Sequence, residues 1–584
     1  TAQSLVVVAH YPDGTSRDVT ADAIFSSTMT DVATVTPEGM VTAARRGESQ
    51  IVVRYEGQFG VAGVTVMGDR TGFQWQDVAA NNLIDTFVYK KLKHLKIQPS
   101  ELCTDAEFLR RIDLDLTGLP PTPEQVRAFL ADTTDSRAKR DRLIDQLLES
   151  PQFVDHWTNK WSDLLQCNKK YLGDKGVWTF RNWIRQSIAS NKPYDRFVRE
   201  LLTSVGSTYD NPATSYQRVL REPNTATENV TQLFLGIRFQ CNKCHDHPFE
   251  RWTQTQYYQF GAFFARVGIK NAPGPTRPDP FNGQPMGENQ VVYERRDGGE
   301  VNHPKTNQPV APTVPVSHSG KIVHEVVRRQ TIADWITAPE NPFFAKSMAN
   351  RIWSYFLGKG IIDPVDDIRS SNPPSNPELL EALTADFVKS GFDVKNLMRT
   401  ICKSRAYQHS IKTNRWNEDD NDNFSHAAPR RLTAEQLMDA IHAATGAQPK
   451  FAGVPVGFRA AQLPDTKIAA GEFFSLFGTP PRESPCECER KGEVSLGQTL
   501  NLINGPTIAD AILDPNGRIA QLMKSNPDDR KIVEELYLAV LNRPPRDEEM
   551  AKIVQQIQGT QNKTEAAQDL MWALINSPAF LFNR

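Results

Sequence analysis

Between Gln240 and Phe249 the chain reads Gln-Cys-Asn-Lys-Cys-His-Asp-His-Pro-Phe, with two thiols three residues apart and an imidazole directly after the second. Cys241-x-x-Cys244-His245 is the pattern to which a haem c is covalently attached: two thiols for the vinyl groups and the next histidine for the iron. Thiols at this spacing on one helical turn face one ring edge, and the following imidazole can swing under the metal. His247 cannot easily reach the opposite face of the same iron. It joins Asp246 and Arg251 as the nearest polar candidates for contact with a substrate. An iron with an open position supports peroxide or substrate chemistry, whereas two strong ligands favour electron transfer. His156 is a possible distal ligand, although a satisfied core histidine is the commoner state.

The same atoms suit other chemistry. Cys241 and Cys244 with Cys486 and Cys488 would make a four-thiolate zinc or iron–sulfur site, and with His245 or His247 a mixed one. A disulfide within the first pair, or between the two pairs, is the third reading. A disulfide between Cys486 and Cys488 is disfavoured, because disulfide geometry strains so short a loop. That leaves metal ligation, a thiol and arginine face against the haem, or a surface turn for Pro481-Arg482-Glu483-Ser484-Pro485-Cys486-Glu487-Cys488-Glu489-Arg490.

Positioning falls to helices. Thr225-x-x-Glu228 reads as a capping box, and Val230, Leu233, Phe234 and Ile237 follow at helical spacing, so this helix is expected to deliver the cysteines at its C-terminal end. Trp252, Tyr257, Tyr258, Phe260, Phe263 and Phe264 supply rings for a flat apolar ligand or for an ordinary core. From 268 to 322 the composition shifts to Pro, Gly and Asn, with a hairpin expected to turn at Asp297-Gly298. A loop segment this long is expected to fold over the nearby site, bringing His303 and His318. Asp363, Asp366 and Asp367 lack EF-hand spacing and read as a solvated or arginine-paired acidic loop rather than a cation site. Cys103, Cys167 and Cys402 read as buried thiols.

At 584 residues the chain exceeds one core. Lys and Arg total 67 against 69 Asp and Glu, so there is no polybasic footprint and nucleic acid is not an expected partner. No apolar run approaches membrane-spanning length. The start at Thr1, without a signal-like segment, reads as a processed or trimmed product. Haem c attachment takes place outside the cytoplasm, so the haem reading carries with it an exported protein, periplasmic or at the cell surface. The fold class expected is multidomain: a small all-β Ig-like sandwich over 1–67, then a large mainly α-helical region with Pro/Gly-rich loops. Its parts are a helical domain over 75–267, the loop region 268–322, and a second helical domain over 323–584.

The first 67 residues resemble the bacterial Ig-like type 2 module through Tyr11-Pro12-Asp13-Gly14-Thr15, Asp18-Val19-Thr20, Val32-Ala33-Thr34-Val35 and Gly39-Met40-Val41-Thr42-Ala43 before Gly47. Residues 75–584 resemble the planctomycete cytochrome-c-like family of paired uncharacterised domains. The resemblance is carried by Asp113 through Thr122, Phe234 through Phe249, Arg251-Trp252, Asn350-Arg351-Ile352-Trp353, Pro364 through Arg369, Pro481 through Arg490, and Asn576 through Phe582. It implies an exported protein with a general link to polysaccharide breakdown. The additional, more ordinary cytochrome domain of some larger relatives is lacking here, which argues against a simple electron shuttle. Three functions follow as expectations. The first is a haem-c oxidoreductase served by a redox partner protein. The second is a metal- or carboxylate-dependent hydrolase acting on a glycan polymer, using pairs such as Glu483 and Asp246. The third is a surface protein whose Cys/His cluster only staples the fold.

Overall fold

A computed structural model describes residues 2–248, 250–315, 327–465, 472–490 and 495–584. The N-terminal residues form small antiparallel sheets. Ala2–Ser4, Met40–Ala43 and Ala33–Val35 make one, Ile24–Ser27, Gly47–Tyr55 and Gln58–Val66 another, and Val8–His10 pairs with Ser16–Asp18. Ile51 pairs with Ala62 in the long hairpin, and together with Ala33, Val41, Phe25 and Val64 these residues form an apolar cluster shared by the two larger sheets. The sheets rest on the helical body through polar contacts: Asp419 receives Arg46 and Arg70, each at 2.8 Å, and Glu48 receives Lys91 at 2.8 Å.

From Leu83 onward the described chain is mainly helical. Local signals set many helix ends. Asp105–Thr117 starts on a capping box between Thr104 and Glu107 and stops at Gly118 in the left-handed conformation. Pro123–Ala131 and Pro151–Leu164 open with proline in the first turn. Trp157 and Trp161 are buried, while Trp178 and Trp183 pack at the core margin. Cys103, Cys167 and Cys402 are buried free thiols, as read from the sequence.

The apolar cores do not follow a division at 323. One cluster joins residues of the first helical segment, such as Ile84, Trp157 and Phe260, to Trp335, Ile352, Leu383 and Tyr407. A second gathers Leu437, Ile441, Ile532, Leu536 and Met571 from the C-terminal helices. The first half of the later segment thus completes the earlier core.

The hairpin expected at Asp297-Gly298 does not form. Gln290–Glu294 pairs instead with the preceding strand Val267–Asn271, Val267 opposite Glu294, and Gly206–Ser207 adds on its far side. That pairing buries Val292, which a ribbon folded at 297 would leave without a partner sheet. Among the described residues no helix is long and apolar enough to cross a membrane. His318 and Phe249 lie outside the described residues.

Candidate functional site

The route into the Cys-x-x-Cys-His turn differs from the expected one. The helix begins at Pro223, one turn before the supposed capping box, and ends at Val230; Glu222 at its N-cap position makes no side-chain cap. A wide π-type turn, Thr231–Leu235, follows, and Gly236 at φ +67° ends it. Cys241 therefore sits on a separate short 3-10 turn, Gln240–Lys243, and Cys244 caps its C-terminal end. A Cβ at Gly236 would lie 2.9 Å from Ile368, so glycine is required twice there, by conformation and by space.

Asn242 anchors this turn from beneath. It is fully buried and donates from Nδ2 to the Trp252 carbonyl at 2.6 Å. The same carbonyl receives the His247 N–H at 2.8 Å, and the Lys243 carbonyl receives the Tyr258 hydroxyl at 3.0 Å. With the asparagine inward, Cys241, Cys244 and His245 face outward, and both thiols are exposed and free. His245 Nδ1 lies 2.7 Å from the Asp246 carbonyl. A carbonyl only accepts, so Nδ1 carries the proton and Nε2 keeps its lone pair for a metal. The attachment residues thus fit a haem c: two unpaired sulfurs and one imidazole whose second nitrogen is already committed.

The remaining expected residues are less concentrated. Asp246 Oδ1 accepts the Gln254 N–H at 2.7 Å, a backbone-anchoring role. The Arg251 guanidinium lies over the Trp252 ring at 5.1 Å. Burial and then the nearby Arg369 charge push the His247 imidazole below its ordinary value, which keeps it neutral at pH 7. Trp252, Tyr257, Tyr258, Phe260, Phe263 and Phe264 are all buried, which commits them to the core rather than to a slot beside the sulfurs. The downstream segment contacts the helix that follows this turn, His303 lying 3.2 Å from Thr255 and packing on Tyr258. The acidic loop is arginine-paired, Asp366 with Arg238 at 2.5 Å and Asp367 with Arg369 at 3.2 Å.

The second cysteine pair corrects an expectation. Cys486 and Cys488 are joined to each other as a disulfide. This takes both sulfurs out of a four-thiolate site, and among the described residues no group of three His, Cys, Asp or Glu converges as a metal site. The charged residues around them do not form a simple surface turn either. Arg482, 1% exposed, donates to Asp163 at 2.7 Å, Asn159 at 2.8 Å and the Pro464 carbonyl at 2.8 Å. Arg490 bridges Asp163 and Glu435, both at 2.7 Å, and Glu487 accepts from Arg351 at 2.8 Å and from the Tyr355 hydroxyl. The turn is therefore plugged into both helical segments by its own arginines.

Beside it opens a narrow cleft lined by Lys160, Tyr355, Cys486, Glu487 and Arg490 among others. An adjoining narrow cleft shares Lys160 and Arg490 and adds His156, Glu435 and Asp439. Burial pushes His156 down to about 3 and Asp439 up to about 6. Glu435 is held low: burial opposes its charge, and the Arg490 guanidinium overcomes that. Sequence reasoning favours a satisfied histidine at 156 over a distal iron ligand, as its burial bears out, but overlooks Lys160 and Tyr355. Their only signal was a polar residue set between buried tryptophans on an apolar helical face. His156 is a buried core histidine packed edge-on against Trp157. Glu483 pairs with Lys170 at 2.9 Å while Asp246 serves the Gln254 backbone, so the contacts of the two carboxylates are separate.

Two family models match this chain. Residues 83–268 match PSCyt2, described as a protein of unknown function (DUF1549). Residues 328–557 match PSD1, described as a protein of unknown function (DUF1553). The chain thus carries this pair of domains in tandem, behind its N-terminal sheets. No curated protein and no solved structure matches it.

Proposed function

We propose that this protein is an exported c-type haem oxidoreductase, with haem c held by Cys241 and Cys244 and its iron by His245. The observation that carries the reading is the state of those three side chains. Both sulfurs are free and exposed, and Nδ1 of His245 is tied to the Asp246 carbonyl, leaving Nε2 for iron. When bound, the haem supplies one-electron chemistry at its iron. The chain's part is to fix the attachment turn through Asn242, to orient His245, and to present His247 as a neutral imidazole beside it. Because Cys241, Cys244 and His245 are all exposed, a partner protein exchanging electrons with the haem can approach closely. The disulfide at Cys486 and Cys488 favours an oxidising compartment, which supports export. The two N-terminal sheets sharing one apolar cluster support an Ig-like spacer, of planctomycete type by resemblance, and a glycan polymer is the substrate class that the resemblance suggests.

Co-expression of the full chain with a haem-ligation system in an exporting host tests this. A Soret band that survives acid-acetone extraction is expected, and it should vanish in Cys241→Ala and Cys244→Ala. Colourless protein under conditions that load a control cytochrome would overturn the reading.

A further inference from the structure

We propose that the Cys486–Cys488 disulfide is a redox-active centre that exchanges with thiols and disulfides arriving from solvent at Cys488, beside the Lys160 cleft. It stands independently of whether Cys241 and Cys244 carry a haem. As a staple the bond has little to do. The stabilisation expected from a disulfide grows with the loop it closes, and this loop is the shortest kind. The turn is moreover already fixed by Arg482, Arg490 and Glu487 through their buried partners.

The two sulfurs differ in the way exchange chemistry requires. Cys488 is exposed, whereas Cys486 is half-buried and lines the cleft. Cys486 Sγ also accepts the Cys488 backbone N–H at 3.1 Å, a contact that stabilises a thiolate there. Lys160 shares the cleft, its ammonium 4.1 Å from the Tyr355 ring centroid. It makes no ion pair or hydrogen bond among the described residues, whereas Arg490 already holds two carboxylates. Lys160 lies in the field of Glu487, Asp163 and Glu435 without pairing to any of them, so its ammonium can also meet a negative sulfur. Burial lowers its own ammonium, an effect a neighbouring thiolate would relieve.

The steps balance. A substrate thiol loses its proton to water and its thiolate attacks Cys488 Sγ. The S–S bond breaks with its electron pair leaving on Cys486, facing Lys160. A second substrate thiolate then attacks the substrate sulfur of the mixed disulfide, and Cys488 leaves. Two substrate thiols have become one disulfide, and two electrons now rest on Cys486 and Cys488. A substrate disulfide runs the same steps backwards. Glu487 and Glu489 flank Cys488 along the chain, so neutral or cationic partners are favoured over anionic ones.

The test uses the full chain in dithiothreitol redox buffers, with peptide-resolved alkylation separating Cys486 and Cys488 from Cys241 and Cys244. The bond should open and close reversibly while circular dichroism shows an intact fold. Cys486→Ser, with Cys488 free, should capture one cystamine at least tenfold faster than Cys488→Ser does, and faster than it captures oxidised glutathione. Lys160→Met should slow reduction about tenfold and raise the alkylation pKa of Cys486, with Lys160→Arg restoring both. Reduction only on unfolding, equal capture by the two serine variants, or indifference to Lys160→Met in a folded protein would overturn the proposal.

Discussion

Asp163 accepts from two guanidiniums, the buried Arg482 at 2.7 Å and the partly exposed Arg490 at 2.7 Å. Removing that shared anion leaves both cations without their common partner, and the loss of one partner in a buried pair is what costs most. Asp163→Asn is expected to lower stability by about 3–5 kcal/mol in urea unfolding. Glu483→Gln, whose pair with Lys170 is solvated, should change it by less than about 1 kcal/mol. The two sites also differ in how far the sequence exposes them. Cys241, Cys244 and His245 are adjacent along the chain, so their grouping is visible in the sequence itself. Asp163, Glu435 and Arg490 meet only because three distant segments fold together, and no local periodicity records which charges will face one another. The Cys486–Cys488 bond was misjudged for a related reason. Spacing was weighed as strain alone, but the flanking arginines fix this turn from outside it, with Cα atoms 5.1 Å apart, inside the usual range for a disulfide.

Elements were legible where a cap decides them. Thr104 with Glu107, Pro123, and Gly118 set their helix ends, since each acts on the backbone beside it. Thr225 with Glu228 failed because Pro223 two residues earlier already supplies a first-turn residue with fixed φ. The Asp297-Gly298 hairpin failed because strand partners are chosen by which face is buried, and Val267–Asn271 was the better mate. Gly236 is where element geometry reaches the cysteines, since it redirects the chain from the π-type turn toward Cys241. Gly236→Ala adds a Cβ against Ile368 at a left-handed φ. The expected cost is about 1–3 kcal/mol, read as a lower melting temperature, with a reduced haem-loaded fraction in the same preparation. Gly57→Ala, also at positive φ but in open space, should cost about 1 kcal/mol and leave loading unchanged.

Across the whole molecule, a core that runs from Ile84 to Tyr407 makes the two matched domains a joint structure, and it places titrating groups where water does not follow. His156 and His409 are the clearest cases: burial pushes each imidazole down to about 3. Unfolding releases them to an ordinary histidine value near 6.5, so between about pH 6.5 and 3 the unfolded chain binds more protons. Their contribution is complete above about pH 6.5 and is lost as pH falls toward 3. Asp439 acts in the opposite sense. Raised to about 6 by burial, it favours the fold most below about pH 4, and that advantage disappears as pH rises through 6. Burial raises Asp113, Asp141 and Glu250 as well, but it also lowers His247, His426 and His442, which act with His156 and His409. Glu435, held low by Arg490 against its burial, and Glu549, held down to about 2 chiefly by its hydrogen bond from Arg543, add to the loss in acid. Stability measured by urea unfolding should therefore fall from pH 7 to pH 4. His156→Gln separates the histidine contribution from the rest, because it removes one titration without touching the carboxylates. The difference in unfolding free energy between wild type and variant should shrink on acidification, by up to about 1.4 kcal/mol per pH unit below 6.5. A difference that stays constant over that range would mean that His156 is protonated in the folded protein and that the cleft beside Lys160 is wetter than its packing implies.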